Sequence, residues 1–548
     1  MRVAIATAGD TDGARVIANG SPAGVRPAAV ERRAPLFTGR SALTLAAASG
    51  ALLALAFPIV DWGSVAWVAL VPLLLAALER GPRAAFLAGW VAGLVFYLAT
   101  LYWLVLTIGT YTNLSPLVSV GPLLLLCGFL ALGFGLVTAA CEWARRRGIE
   151  IALVAPLSWV VVEWIRTYVL GGFPWVSLGY SQYRATYLVQ FVEVTGVYGL
   201  SALVVLVNAV VYGAVRRWLA GEAPSSRAML AVTMLLVVLV GWGYWRVRKI
   251  ASLPVVGAVR VGFIQGNVAQ DVKWDPAYQA ATIAHYEALT REAVADGAEL
   301  VVWPETAAPF FFQEESELRE RILDLARELH VALVVGSPAF TYENGALVLH
   351  NRVYLVDSDG AADQYYDKMQ LVPFGEYVPL KPLFFFVDKV VEGVGDFRAG
   401  GTPVVLRTAR GNFGVLICYE DIFPGLTRRF VAGGADFLVN ITNDAWFGRT
   451  SAPYQHLAMA TLRAIENRVP LVRVANTGIS AMVDADGTIR WRTGLFESAW
   501  RVDSVGWVGL RTFYTRFGDV FAYACIALLV LVTIVGGSRR PHAAREET

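Results

Sequence analysis

The stretch FGVLICYEDIFP (413–424) runs an apolar segment into Cys418 and then into two acids, Glu420 and Asp421. Val415, Leu416 and Ile417 read as a buried strand, with Gly414 as a bend before it. A thiol attacks through its thiolate, and neighbouring carboxylates disfavour that form. Nucleophilic chemistry at Cys418 therefore needs a positive charge and a base from elsewhere in the chain. Two other expected strand ends offer them. VVWPET delivers Glu305 behind Val301 and Val302, and YYDKMQLVPFGEYVP delivers Lys368. Functional side chains in layered α/β folds gather at strand ends and the loops after them, so three distant positions can converge. Lys368 is informative because only five of the 46 basic residues are lysines: Lys249, Lys273, Lys368, Lys381 and Lys389. A chain that uses arginine for general positive charge keeps lysine where a compact ammonium suits better than a planar fork. The plainer alternative is a solvated surface lysine.

The elements that must position these residues are α/β. Segments 259–267, 298–305, 331–338, 350–357, 413–420, 436–444 and 469–478 are strand-like. Between them lie amphipathic stretches such as 315–330, where Leu318, Ile322, Leu325 and Leu329 recur at helical spacing. Strands alternating with helices favour stacked α/β layers. Neither GxGxxG nor GxxxxGK[ST] occurs, so no phosphate loop is expected. Cys127, Cys141 and Cys525 fall in long apolar runs, where a thiol behaves as a small hydrophobe. No close cysteine pair suggests disulfides, and the five scattered histidines make a metal centre unexpected. No cofactor is expected either.

The rest of the chain faces lipid. It is 56% hydrophobic and 16% charged, with mean hydropathy +0.52, whereas soluble domains carry about a quarter charged residues. A net charge of +2 gives no reason to expect a nucleic-acid partner. Seven apolar stretches, roughly 41–60, 62–79, 84–108, 118–142, 151–171, 189–215 and 228–245, are each about long enough to cross a membrane, and an eighth spans 520–536. Arginines mark alternate loops: Arg80 and Arg83, then Arg145, Arg146 and Arg147, then Arg216, Arg217 and Arg227, then Arg539, Arg540 and Arg545. That side is expected to be the cytoplasm, with both termini there and the long domain outside. The cluster from Arg246 to Lys249 sits on the wrong side for this rule. The expected division is a flexible cytoplasmic tail (1–40), seven membrane helices (41–249), an external α/β domain (250–515), an eighth span (516–537) and a short cytoplasmic tail (538–548). An external Cys418 without a partner is an oxidation hazard, which makes a chemical use more plausible.

The motifs WPE, DKxxLVPFGEYVP, CYED, NxTNDAWFG and AIENRVPLVRVANTG resemble the nitrilase, or carbon–nitrogen hydrolase, superfamily. With eight spans around that domain, the chain resembles the apolipoprotein N-acyltransferase family of bacterial inner membranes from about residue 41 to 536. The resemblance implies a polytopic α-helical membrane domain joined to a nitrilase-like αββα sandwich on the periplasmic or outer side. It also implies a catalytic triad of Glu305, Lys368 and Cys418. The implied reaction is ping-pong: a membrane phospholipid donates an acyl chain to Cys418, and the thioester passes it to the α-amino group of a diacylglyceryl-cysteine on an apolipoprotein. Glu305 would be the base, and Lys368 the oxyanion partner with the Tyr419 N–H if a helix begins there. Glu376, Glu420, Trp274 and Tyr419 match supporting positions, each with ordinary packing or ion pairing as the alternative.

Two aromatic triplets flank the expected chemistry, Phe310-Phe311-Phe312 and Phe384-Phe385-Phe386. Both are expected to dip into the membrane interface, with 377–397 gating acyl chains; ordinary core packing is the alternative. Other readings of the whole are a membrane-tethered amidase using water as acceptor, and a transporter or scaffold. Few acids lie in the spans, mainly Glu163 and Glu193, which argues against ion coupling. A monomer is expected.

Overall fold

A computed structural model describes residues 36–111, 116–377 and 397–538. Six of its helices are long and apolar enough to cross a membrane: Pro82–Leu101, Leu117–Arg145, Ile151–Gly171, Val197–Leu219, Ser226–Ala251 and Val520–Gly537. The first two expected spans are shorter. Gly39–Ala54 has 16 residues, and the second is broken into Gly63–Val65, Ala66–Ala69 and Val71–Ala77, with Pro72 in the first turn of the last piece. Proline suits a helix start and disrupts an interior, which accounts for the break. The expected span at 189–215 is likewise interrupted: Gly196 at φ 63° separates short turns from Val197–Leu219.

The arginine-bearing turns meet at one end of the bundle. Glu142 there accepts from Arg145, Arg146 and the N–H groups of Glu79 and Gly81, while Glu79 pairs with Arg216. The opposite end joins the α/β half. Gln455 donates to the carbonyl of Thr100 and accepts from Trp175, and Glu466 accepts from the N–H of Val197. Arg246, the exception to the arginine pattern, is neutralised here by Glu193, 2.6 Å away.

The described residues of the α/β half form twelve strands: β1 (Gly257–Gln265), β2 (Leu300–Val302), β3 (Ala332–Glu343), β4 (Ala346–Val356), β5 (Gln364–Asp367), β6 (Val405–Thr408), β7 (Gly411–Ile417), β8 (Phe437–Thr442), β9 (Leu471–Ala475), β10 (Ala481–Val483), β11 (Ile489–Arg492) and β12 (Ala499–Trp507). They form two six-stranded sheets, β12-β1-β2-β3-β4-β5 and β11-β10-β9-β8-β7-β6. Each has a parallel centre, β1-β2-β3 and β7-β8-β9, with antiparallel flanks. Period-two alternation explains the layering. Leu300 and Val302 pack toward the second sheet, while Val301 packs on the helices Pro276–Ala295 and Glu317–Leu329. Both faces of the central strands are therefore apolar, as parallel strands covered on two sides require.

Candidate active site

Glu305 lies in a tight turn just after β2. Thr306 follows with φ 49°, left-handed backbone that a β-branched residue rarely adopts. Across from it, Gly336 of β3 leaves the space the turn occupies. A Cβ at Gly336 would stand 2.7 Å from the Thr306 nitrogen and 2.9 Å from the Pro304 oxygen. The Glu305 carboxylate is fixed from two sides: Oε1 accepts from Asn351 Nδ2 at 2.9 Å and Oε2 from the Asn443 N–H at 3.0 Å.

Lys368 follows β5 and is 1% exposed, so the surface-lysine alternative does not hold. Its ammonium is 2.9 Å from Glu376 Oε1 and 3.5 Å from Glu305 Oε1. Burial opposes its charge, but Glu376 and then Glu305 overcome this and hold its pKa above the usual lysine value. Glu376 is itself anchored by the Val372 N–H and shares Asn351 with Glu305.

Cys418 follows β7 with left-handed backbone, φ 52°, and starts a five-residue 3-10 turn, Cys418–Ile422. The α-helix begins only at Pro424, whose fixed φ suits a first helical position. The expected helix start at Tyr419 is thus replaced by a short turn. Burial and the Glu305 carboxylate push the thiol well above its ordinary pKa; Lys368 pulls it down, Asp444 pushes it up, and the Thr442 hydroxyl favours the thiolate. The acids that act most strongly against the thiolate are thus Glu305 and Asp444.

The adjacent Glu420 and Asp421 are structural ties. Glu420 accepts from Tyr366 Oη and the N–H groups of Met369 and Gln370 on one side, and from the Ile417 N–H on the other. It thereby fastens the residue before Cys418 to the two residues after Lys368. Burial raises its pKa to about 7 against the pull of these donors. Asp421 sits in a fully buried group with His456, Asp444, Arg473 and Asn440 under the turn. His456, Asp444, Arg473 and Asn440, with Asn351 and Asn443, were given no role by the sequence reading. The NxTND motif carried four of the positions concerned, Asn440, Thr442, Asn443 and Asp444, without marking a role for any of them.

Tyr419 donates from its hydroxyl to the carbonyl of Gly172, 2.9 Å away, in the loop that ends the membrane helix Ile151–Tyr168. Trp274 is half-buried, and its indole N–H has no hydrogen-bond partner among the described residues. Of the first aromatic triplet, Phe312 is buried while Phe310 and Phe311 are half-buried. Phe312 is buried against Tyr354, and Phe311 packs edge-on against Phe340, because this segment runs along β3 of the first sheet. Phe384, Phe385 and Phe386 fall outside the described residues, as does most of the expected gate. Among the described residues no group of three or more His, Cys, Asp or Glu side chains is arranged to hold a metal.

Comparison with known proteins connects the two halves. Residues 49–210 match the apolipoprotein N-acyltransferase N-terminal domain, and residues 260–499 match carbon-nitrogen hydrolase. A Geobacter metallireducens protein named apolipoprotein N-acyltransferase is 46% identical over 501 residues, covering 90% of this chain and 95% of that one. The chain belongs to the apolipoprotein N-acyltransferase family. Another member of the family, from Nitrosomonas europaea, is 34% identical over 86% of this chain and 91% of its own. Among solved structures, Saccharomyces cerevisiae Nit3 of the nitrilase superfamily aligns with 46% of this chain and 91% of its own, at 19% identity and a TM-score of 0.37. Membership in the apolipoprotein N-acyltransferase family covers the described membrane half and hydrolase half together.

Proposed function

We propose that the protein moves an acyl chain from a membrane phospholipid to the α-amino group of a diacylglyceryl-cysteine on an apolipoprotein, through a thioester on Cys418. The observation that carries this reading is the position of the Cys418 turn. It lies in the field of Glu305 and Lys368, and its neighbour Tyr419 is bonded to the end of a membrane helix. A nucleophile so placed meets substrates that stay in the bilayer.

Glu305 takes the Cys418 proton as sulfur bonds to the ester carbonyl carbon. Lys368, held by Glu376, faces the oxyanion that develops. The carbon–oxygen bond then breaks, and the lysophospholipid leaves as its alcohol with the proton from Glu305. In the second half-reaction the amine attacks the thioester and gives its proton to Glu305. The Cys418 thiolate leaves and recovers that proton. The resting thiol, pushed above its usual pKa, resists oxidation until substrate arrives.

The membrane is the bacterial inner membrane in this reading. The arginine-bearing end of the bundle faces the cytoplasm and the α/β half the periplasmic or outer side. A monomer contains the whole site. The direct test uses phospholipid vesicles labelled in the acyl chain. A hydroxylamine-sensitive label forms on Cys418, and a diacylated lipopeptide discharges it as an amide. Equal labelling of Cys418→Ala would overturn the mechanism, and release of free acid in place of the amide would favour hydrolysis by water.

A further inference from the structure

Among the described residues of the α/β half two lysines are buried, Lys368 and Lys273; Lys273 is 2% exposed, and nothing in the mechanism above uses it. It ends a one-turn helix, Gln270–Lys273, immediately before Trp274. Its ammonium donates to the backbone carbonyl of Glu305 at 3.0 Å and to Thr306 Oγ1 at 2.6 Å. These are the two residues of the strained turn that presents the base. The same short helix acts on the other side of Glu305. Gln270 Oε1 accepts from Asn443 Nδ2 at 2.7 Å, and the Asn443 N–H holds Glu305 Oε2.

Charge gives a second reason. Lys368 stands between two carboxylates, Glu305 and Glu376, so one cation answers two anions before the thiol has lost a proton. A thiolate formed there would add a further negative charge to a buried site. The Glu305 carboxylate and the Cys418 sulfur both favour the charged form of Lys273. Burial lowers its pKa to about 8 against their pull, so at neutral pH the ammonium form prevails.

We propose that Lys273 is a positioning residue for the acyl-transfer reaction: it clamps the Glu305–Thr306 peptide and adds a second fixed cation beside Glu305 and Cys418. The inference rests on the acyl-transfer reading for its role and on the geometry for its site. A lysine that only filled its place in the core would leave the reactivity of the thiol unchanged once the protein had folded.

The test uses the full-length protein in phospholipid nanodiscs, with Lys273→Met and Lys273→Gln. Both are checked for folding by thermal melt. Lys273→Met is expected to form the Cys418 thioester at least tenfold more slowly at saturating labelled phospholipid, with half-saturation within threefold of the wild type. Alkylation of Cys418 by iodoacetamide at neutral pH falls at least fivefold. Lys273→Gln, which keeps a donor but not the charge, stays within threefold of Lys273→Met in both measurements. A folded Lys273→Met that forms the thioester within threefold of the wild-type rate overturns the proposal. Wild-type alkylation in Lys273→Gln overturns the charge. If Lys273→Met does not fold, Lys273→Gln alone carries both readings against the wild type. Alkylation needs no lipid, so it reads Lys273 independently. Failure of the acyl-transfer reading would show instead as no acyl label on wild-type Cys418.

Discussion

At the residue scale, the acid beside the nucleophile does something other than its place in CYED suggests. Glu420 uses both oxygens as acceptors for four donors from two segments. Glu420→Gln keeps the shape but sets an amide N–H₂ against at least one of those donors. It is expected to cost about 2–3 kcal/mol, as an unsatisfied buried group does. It should also slow thioester formation more than tenfold, because the tie between the Cys418 and Lys368 segments loosens. Thermal melts and single-turnover labelling measure the two effects. The pH dependence follows from burial. A carboxyl whose folded pKa, about 7, exceeds its unfolded value near 4.3 binds more protons in the native state between those values. Glu420 therefore lowers stability as pH rises from about 4.3 to 7, and the Gln variant is expected to lack that slope.

At the element scale, the site depends on how closely two strand ends approach. Gly336 of β3 is the contact that lets the Glu305 turn sit against the sheet. Gly336→Ala places a methyl among backbone atoms of Pro304, Glu305 and Thr306, none of which can rotate aside. The expected result is about 1–3 kcal/mol of lost stability from overpacking and about a hundredfold loss in thioester formation from the displaced base. Half-saturation by phospholipid should change little, because the contact holds the base and not the lipid. An Ala variant with wild-type single-turnover rates would show that the turn relaxes freely. The 3-10 turn after β7 has the same logic. The left-handed Cys418 and Pro424 shape the corner before any helix begins, so support comes from Glu420 and the Asp421 group beneath it.

At the scale of the whole molecule, one end of the helix bundle gathers the arginine turns and the other meets the hydrolase half. Arg246 stands at the hydrolase end, yet Glu193 neutralises it and Arg468 adds a second ion pair across the join. The orientation can be read with single cysteines introduced into Cys418→Ala, since Cys127, Cys141 and Cys525 are all buried. Tyr342→Cys, on an exposed strand end, is expected to react with a membrane-impermeant maleimide in intact spheroplasts. Ser225→Cys, in the exposed turn between two membrane helices, is expected to react only after permeabilisation. The reverse pattern would place the α/β half in the cytoplasm.

The sequence by itself determined the composition-level facts: a lipid-facing part, an α/β part, and the family motifs. These are carried by local patterns, namely long apolar runs, period-two strands and short exact strings. Strand ends at Glu305 and Cys418 were legible because apolar runs stop there, and Lys368 because lysine is scarce. The same scarcity applied to Lys273, but only the fold shows that it reaches the Glu305 peptide. Strands β6, β10, β11 and β12 were not read from the sequence, since three of them have only three or four residues, and β5 was read only as the strand end before Lys368. Tertiary structure alone decided that Phe312 is core and that Glu420 is a tie. Each depends on partners tens or hundreds of residues away, and a hydrogen bond such as Tyr419 to Gly172, 247 residues apart, leaves no trace in local pattern.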